Sequence, residues 1–251
     1  MDFMLAVCNT FFMRKVITKK FLIGRVKDLI KLMPLLSIFR SKSYSQSWED
    51  RTIHNLLNIN VGTYIDIGAG TPIWGSNTYF FYKRGWTGVT VDPIDFNIKL
   101  HKLLRPKDKQ YRNLVNARNE KIDFFEMIPW EYSTTDEQLA RIRESNGAII
   151  FKNYKCESIS LKQLYETNPI NRPAILSIDV EGAEIAVIES NDWNQYKPDV
   201  ICIEELNNPI YGSMIRTTLE SVDYKLYSYN GLSSVYIWNK TQYLKDFNSS
   251  G

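Results

Sequence analysis

The chain reads as an α/β protein with a mostly parallel sheet covered by helices on both faces and a C-terminal antiparallel hairpin. Three observations predict this. Two apolar runs stop at a carboxylate followed by glycine, GTYIDIGAG at 62–70 and AILSIDVEGAE at 174–184, the pattern of buried parallel strands that deliver charge and bare backbone to one sheet edge. From Ser43 onward short apolar runs alternate with helical patterns. The closing YKLYSYNGLSSVYIWN holds two alternating segments around Asn230-Gly231, a strong hairpin signal.

Taken in order, Ser47-Trp48-Glu49-Asp50 opens a helix through Ile53, Leu56 and Leu57, with Ser47 as cap and the two acids favouring the first turn. Tyr64 to Ile67 is the first strand. Ser76-Asn77-Thr78 starts a helix carrying Tyr79 to Tyr82, and Gly85 ends it. Thr87 to Val91 is a second strand closing on Asp92, followed by a helix over Phe96 to Leu104 that Pro106 stops. A third strand is expected over 112–117 and an extra one over Lys121 to Met127. The stretch from Pro129 to Asn146 is too long for a routine connection and is either an excursion over a cleft or a short rim helix. A helix around Leu161 and Leu164, a strand over Ala174 to Asp179, a helix over Glu184 to Glu189 and a strand over Val200 to Glu204 lead to the hairpin. Residues 43–246 then form one domain, with a leader at 1–42 and a tail at 247–251.

An apolar content of 44% in 251 residues is enough for a sizeable core. The net charge of +3 hides an asymmetry: residues 1–42 carry +7 and the rest −4. An acidic body does not suit tracking along a phosphate backbone, so nucleic acid is not an expected partner. Three scattered cysteines and two histidines exclude a disulfide framework and a zinc site and point to a reducing compartment. The apolar start is too short to span a bilayer and precedes its positive charges, the reverse of a secretory signal. Leu22, Val26, Leu29, Ile30 and Met33 fall at helical spacing with basic residues turned away. This amphipathic helix packs on the body, on a second copy in a homodimer, or on an anionic membrane face.

The glycine turn Gly68-Ala69-Gly70 lets backbone approach a ligand, and Asp92, 22 residues after Gly70, is placed to accept hydrogen bonds from a ribose. The turn continues Thr71-Pro72-Ile73-Trp74; Pro72 has no N–H to offer a pyrophosphate, so a cofactor without phosphates, such as S-adenosylmethionine, fits better than a dinucleotide. Asp66 inside the first strand needs a partner, which is either neighbouring loop amides or a ligand ammonium. Asn77 and Asn116 complete the candidate cofactor contacts.

Five segments, SQSWEDRTIHNLL, YIDIGAGTPIWGSNTYFFYKRGWTGVTVDP, ESISLKQLYE, ILSIDVEGAEIAVIE and the tyrosine-rich hairpin, resemble the FkbM family of S-adenosylmethionine-dependent methyltransferases over about residues 43–240. DVEGAE is the most specific part. The resemblance implies a Rossmann-like class I methyltransferase fold with a seven-stranded sheet, O-methylation of a hydroxyl on a sugar, glycoconjugate or other natural product, and cytoplasmic action. It places Asp66, Gly68 and Gly70 around the methionine part and Asp92 on the ribose, and makes Gln46, Glu49 and Asp50 part of a lid. The basic leader and the long stretch after Met127 depart from the pattern.

Methyl transfer to an alcohol is an in-line displacement in which the hydroxyl proton must leave late or a metal must lower its pKa. Asp179 stands at the strand end facing that chemistry, with Glu181 two residues on and Glu204 and Glu205 closing the next strand. Base catalysis by Asp179 with Glu181 as a substrate contact, a Mg²⁺ site of Asp179 with Glu204 or Glu205, and helix capping by Glu181 and Glu184 all account for this acid. His54 and His101 read as surface or packing residues. Trp74 and Trp130, in loops, are candidates for stacking on sugar rings. A nicotinamide oxidoreductase and a nucleic-acid methyltransferase using the basic arm are the alternatives. The leading expectation is a carbohydrate O-methyltransferase, peripheral at the inner membrane face, in surface polysaccharide or natural-product biosynthesis.

Overall fold

The computed structural model describes residues 43–57, 60–169 and 171–245. The leader helix expected over 21–33, Cys8 and the tail lie outside them. The described residues divide into two compact units, one from 43–122 with 156–245 and a smaller one from 123–155.

The larger unit holds a seven-stranded sheet in the order β3-β2-β1-β7-β8-β10-β9. Strands β1 (Thr63–Ile67), β2 (Thr87–Val91), β3 (Lys109–Tyr111), β7 (Ala174–Ile178) and β8 (Val200–Glu204) run parallel, while β10 (Ser233–Trp238) pairs antiparallel with both β8 and β9 (Tyr224–Tyr229). The order reverses between β1 and β7, the place where open α/β sheets bind ligands outside the carboxyl ends of their strands. The expected third strand is displaced: β3 covers Lys109–Tyr111, and β4 (Leu114–Val115) pairs with β6 instead. The strand β6 (Ile149–Ile159) was not signalled, because its lysines and glutamate interrupt the alternation.

Side chains alternate across the sheet. One face buries Ile65, Ile67, Val91, Leu176, Ile178 and Ile203 against α5 (Leu161–Thr167), α6 (Glu184–Glu189) and α7 (Met214–Ser221). The other buries Tyr64, Ile175, Val200, Cys202 and Val235 against α1 (Glu49–Leu56) and α2 (Tyr79–Tyr82). Each fully buried aliphatic side chain contributes about 1.5–3 kcal/mol. Cys202 is 1% exposed, a core residue as its apolar setting predicts. The hairpin turns at Asn230-Gly231, where Gly231 takes φ +98°.

The smaller unit folds around Phe125, Met127, Ala140 and Ala148. The end of β5 (Lys121–Ile128) leads into a 3-10 turn at Trp130–Tyr132 and then α4 (Glu137–Ser145). Asp136 caps α4 by accepting from the amides of Gln138 and Leu139 at 2.8 and 3.1 Å. The polar stretch after Pro129 is therefore a folded element with its own small core, held by that cap and by the Phe125–Thr134 bridge.

Candidate active site at the carboxyl edge of the sheet

At the end of β1 the chain turns through Gly68 (φ +73°) and Gly70 (φ +52°). An added Cβ on Gly68 would lie 1.7 Å from the carbonyl oxygen of Asp179, so glycine is required both by conformation and by contact. The amide of Asp179 donates to the Ile67 carbonyl at 3.0 Å, and those of Gly68 and Ala69 donate to Val91 at 2.9 and 3.1 Å. The ends of β2, β1 and β7 are thus sewn together, and the glycine turn adjoins Asp179.

The carboxylates expected on the cofactor side turn inward. Asp92, 4% exposed, accepts from the amides of Gly70 (2.9 Å) and Ile94 (2.7 Å) and from Asn97 Nδ2 (3.2 Å). Its first task is to hold the turn, where the sequence suggested a ribose. Asp66 lies on the face covered by α2, and there Thr78 Oγ1 and the Ser177 hydroxyl donate to it. Burial raises its pKa; the Arg105 guanidinium and these hydroxyls pull it back. Side chains of the fold satisfy it, so a ligand ammonium is not needed, and the partners are side-chain hydroxyls where loop amides had been expected.

Arg105 was missed by sequence reading. Fully buried, it reaches Asp108 (2.8 Å), Thr78 Oγ1 (2.9 Å) and Ser76 Oγ (3.3 Å). Asp108 in turn accepts from the Tyr64 hydroxyl at 2.7 Å and the Gly88 amide at 3.0 Å. Only the stop signal of Pro106 marked this place in the sequence. His101 is also fully buried, beneath the turn, with Nε2 3.2 Å from the Gly70 carbonyl. Burial, then Arg105, lowers its pKa to about 3, so the ring is neutral. It is a packing residue, not a surface one. His54 packs its ring on Phe80 at 5.0 Å.

In the amino-terminal element both acids bond within the fold. Asp50 is fully buried and accepts from Ser43 Oγ (2.6 Å), Ser45 Oγ (3.1 Å) and the Tyr44 amide (2.7 Å). Glu49, 2% exposed, accepts from the Ser47 amide (2.8 Å) and from Asn230 Nδ2 (2.9 Å). Asp50 shapes the 43–45 loop, and Glu49 ties its neighbour Ser47 to the hairpin. Ser47 does not cap α1; Trp48 occupies the cap position with φ 70°. Gln46 is exposed. Trp74, half-buried, faces Tyr44 with ring centroids 5.8 Å apart, and Gly75 N–H donates to the Tyr44 carbonyl at 2.8 Å. Asn77 Nδ2 donates to Ser177 Oγ at 3.1 Å. Asn116 accepts from the following Ala117 amide at 2.7 Å. Trp130 belongs to the smaller unit, and its indole N–H has no partner among the described residues.

On the reacting side, Asp179, Glu181 and Glu204 converge: each offers a carboxylate oxygen, and these oxygens lie within 4.8 Å of one another. Glu181 sits at φ 57°, a left-handed conformation costly for a side chain with a Cβ. Glu184 braces the turn before α6, its Oε1 accepting from the amides of Gly182 (3.1 Å) and Val180 (3.3 Å); it does not cap the helix, whose cap position is Ala183 with no side-chain cap bond. Glu205 leaves the proposed metal set: it is 2% exposed and accepts from Ser213 Oγ and from the Tyr236 hydroxyl, the latter at 2.8 Å. Alternation along the strand end turns it into the fold while Glu204 turns toward Asp179. Among the described residues no hydrogen-bond donor reaches the Asp179 carboxylate. Burial raises its pKa well above the ordinary range, and Glu204, Glu181, Glu184 and Asp66 add to the rise.

This edge combines a glycine turn, a neutral imidazole beneath it and a cluster of carboxylates. Residues 66–226, more than half of the chain, match the family model described as the methyltransferase FkbM domain. A search of curated proteins and a search of solved structures each found no match. The matched segment contains the glycine turn, Asp92 and the three converging acids, and the chain belongs to the FkbM methyltransferase family.

Proposed function

We propose that the protein is an S-adenosylmethionine-dependent O-methyltransferase acting on a hydroxyl of a sugar or glycoconjugate. The observation that carries this reading is the meeting of Asp179, Glu181 and Glu204 next to the glycine turn. A cationic methyl donor suits an edge where carboxylates gather and Pro72 withholds an amide, whereas a pyrophosphate meets repulsion there. The residues that would hold it are Gly68, Ala69 and Gly70 through their backbone, with Asp92, Asn77 and Asn116 around them. When bound, S-adenosylmethionine supplies an electrophilic methyl group on a sulfonium.

The chain's own residues do the rest. Asp179, with its raised pKa, is matched to accept the acceptor hydroxyl's proton as the new bond forms. Glu181 and Glu204 orient neighbouring hydroxyls by accepting their hydrogen bonds, and Trp74 offers an aromatic face. The convergence of three acidic oxygens also favours a second reading, a Mg²⁺ ion held by Asp179, Glu181 and Glu204 that lowers the pKa of the alcohol. Activity unaffected by a strong chelator eliminates the metal and leaves base catalysis.

Calorimetry with S-adenosylmethionine beside NAD tests the cofactor: binding of the former alone is expected, and binding of NAD alone refutes the reading. The +7 leader is proposed to attach the protein to the anionic inner face of the membrane. Among the described residues no helix is long and apolar enough to cross a bilayer. Removal of residues 1–36 is expected to abolish sedimentation with anionic vesicles; a truncated protein that still sediments refutes the attachment.

A further inference from the structure

The helix α3 (Asp95–Leu104) and the residue that follows it carry an unusual stripe. Asn97, His101 and Arg105 recur every four residues, so they share one face, and all three are fully buried. A helix face directed into a fold is ordinarily apolar, because each buried polar group costs free energy unless it is bonded. Here each is tied, directly or through Asp92, to the same loop. Asn97 donates to Asp92, which holds the Gly70 amide; His101 meets the Gly70 carbonyl; Arg105 holds Ser76 and Thr78, and through Thr78 reaches Asp66. A carbonyl only accepts, so Nε2 carries the imidazole proton and Nδ1 is left as an acceptor with no partner among the described residues. That cost is tolerated where leucine would have filled the space without it. The stripe grips Gly70 at both its N–H and its C=O, then the loop eight residues on.

We infer that Asn97, His101 and Arg105 are positioning residues that set the glycine turn and the 71–78 loop in the shape required for cofactor binding. This rests on the methyl-donor reading above. None of the three needs to touch the ligand; they act through Asp92, Gly70 and Thr78. The cofactor's affinity is then controlled from a helix behind its loop.

The test is calorimetry with S-adenosylmethionine on the full chain, read as dissociation constant and as number of sites, beside a thermal melt. Wild type is measured first, and absence of binding there refutes the methyl-donor reading itself. Given wild-type binding, His101→Phe keeps a ring but removes the donor and is expected to weaken affinity about tenfold, the effect of one lost hydrogen bond of about 1.4 kcal/mol. His101→Gln returns an N–H to the Gly70 carbonyl and is expected to restore most of it. Arg105→Lys loses the fork that spans Ser76, Thr78 and Asp108 and is expected to weaken binding at least as much. Thr78→Val preserves the Arg105–Asp108 pair and is the companion variant should Arg105→Lys not fold. A merely structural role would lower the melting temperature or the number of sites while leaving the dissociation constant unchanged. That outcome, or equal affinities for the Phe and Gln variants, overturns the inference.

Discussion

The carboxylates at the ends of β1 and β2 and those at the ends of β7 and β8 share one sheet edge and are treated in opposite ways. Asp66 and Asp92 are met by donors: two hydroxyls, with the Arg105 charge behind them, for one, two amides and an asparagine for the other. Asp179 has carboxylates for neighbours and, among the described residues, no donor. The first pair works as struts that shape a loop, since a buried charge with its bonds made is part of the framework. The second group stores electrostatic cost at the carboxyl edge of the sheet, and shifted pKa values of this kind mark active-site acids. An acid at a strand end is therefore not by itself a ligand; the supply of donors decides.

Four changes separate struts from reactants, beginning with the largest effect. Gly68→Ala forces a Cβ into the Asp179 carbonyl and into a left-handed backbone; it is expected to prevent stable folding or to cost more than about 3 kcal/mol in denaturant unfolding. Asp92→Ala strands two amides and the Asn97 side chain, with an expected loss of about 2–4 kcal/mol in the same measurement. A loss confined to cofactor affinity would show that Asp92 acts on the ligand alone and is no strut. Next comes the adjacent pair on β8. Glu205→Gln weakens its bonds to Ser213 and Tyr236 and is expected to cost about 1–2 kcal/mol of stability with turnover within about twofold. Glu204→Gln is expected to do the reverse, and identical profiles would erase the distinction.

The smallest effect is a gain. The folded-state pKa of Asp179 lies above its unfolded value, so the native state holds that proton more tightly. Its stabilising contribution is complete below the unfolded pKa and is lost as pH rises through the folded one. Asp179→Asn escapes that loss, and is expected to melt higher than wild type at pH 8, with the gap closing in acid. A wild type that melts higher at pH 8 would show that Asp179 is a strut after all.

Much of the frame was legible because its signals are local. Apolar runs ending in acids marked β1, β7 and β8, Asn230-Gly231 marked the hairpin, and the DVEGAE segment resembled the right family. The direction in which each acid turns was not legible, because its partners come from afar in the chain. Glu49 is held by Asn230, Asp66 by Thr78 and Ser177 with Arg105 behind, and Glu205 by Ser213 and Tyr236. The polar stripe on α3 was hidden for a related reason. The polar side chains of Asn97, His101 and Arg105 carry no apolar periodicity, and their burial follows only once the loop they hold is folded over them. The long segment after Met127 left an excursion and a short helix both open, because its cap, Asp136, and its small core are weak signals beside the polar residues of α4.

Release of S-adenosylhomocysteine by wild type and Asp179→Asn, at saturating S-adenosylmethionine and against a panel of nucleotide sugars, lipid-linked sugars and finished glycans, tests the central claim most directly. Wild type is expected to turn over with at least one hydroxyl acceptor and Asp179→Asn to be slower by about 100-fold or more, with cofactor affinity nearly unchanged. Equal rates for the two proteins would contradict the assignment of the reacting edge to Asp179.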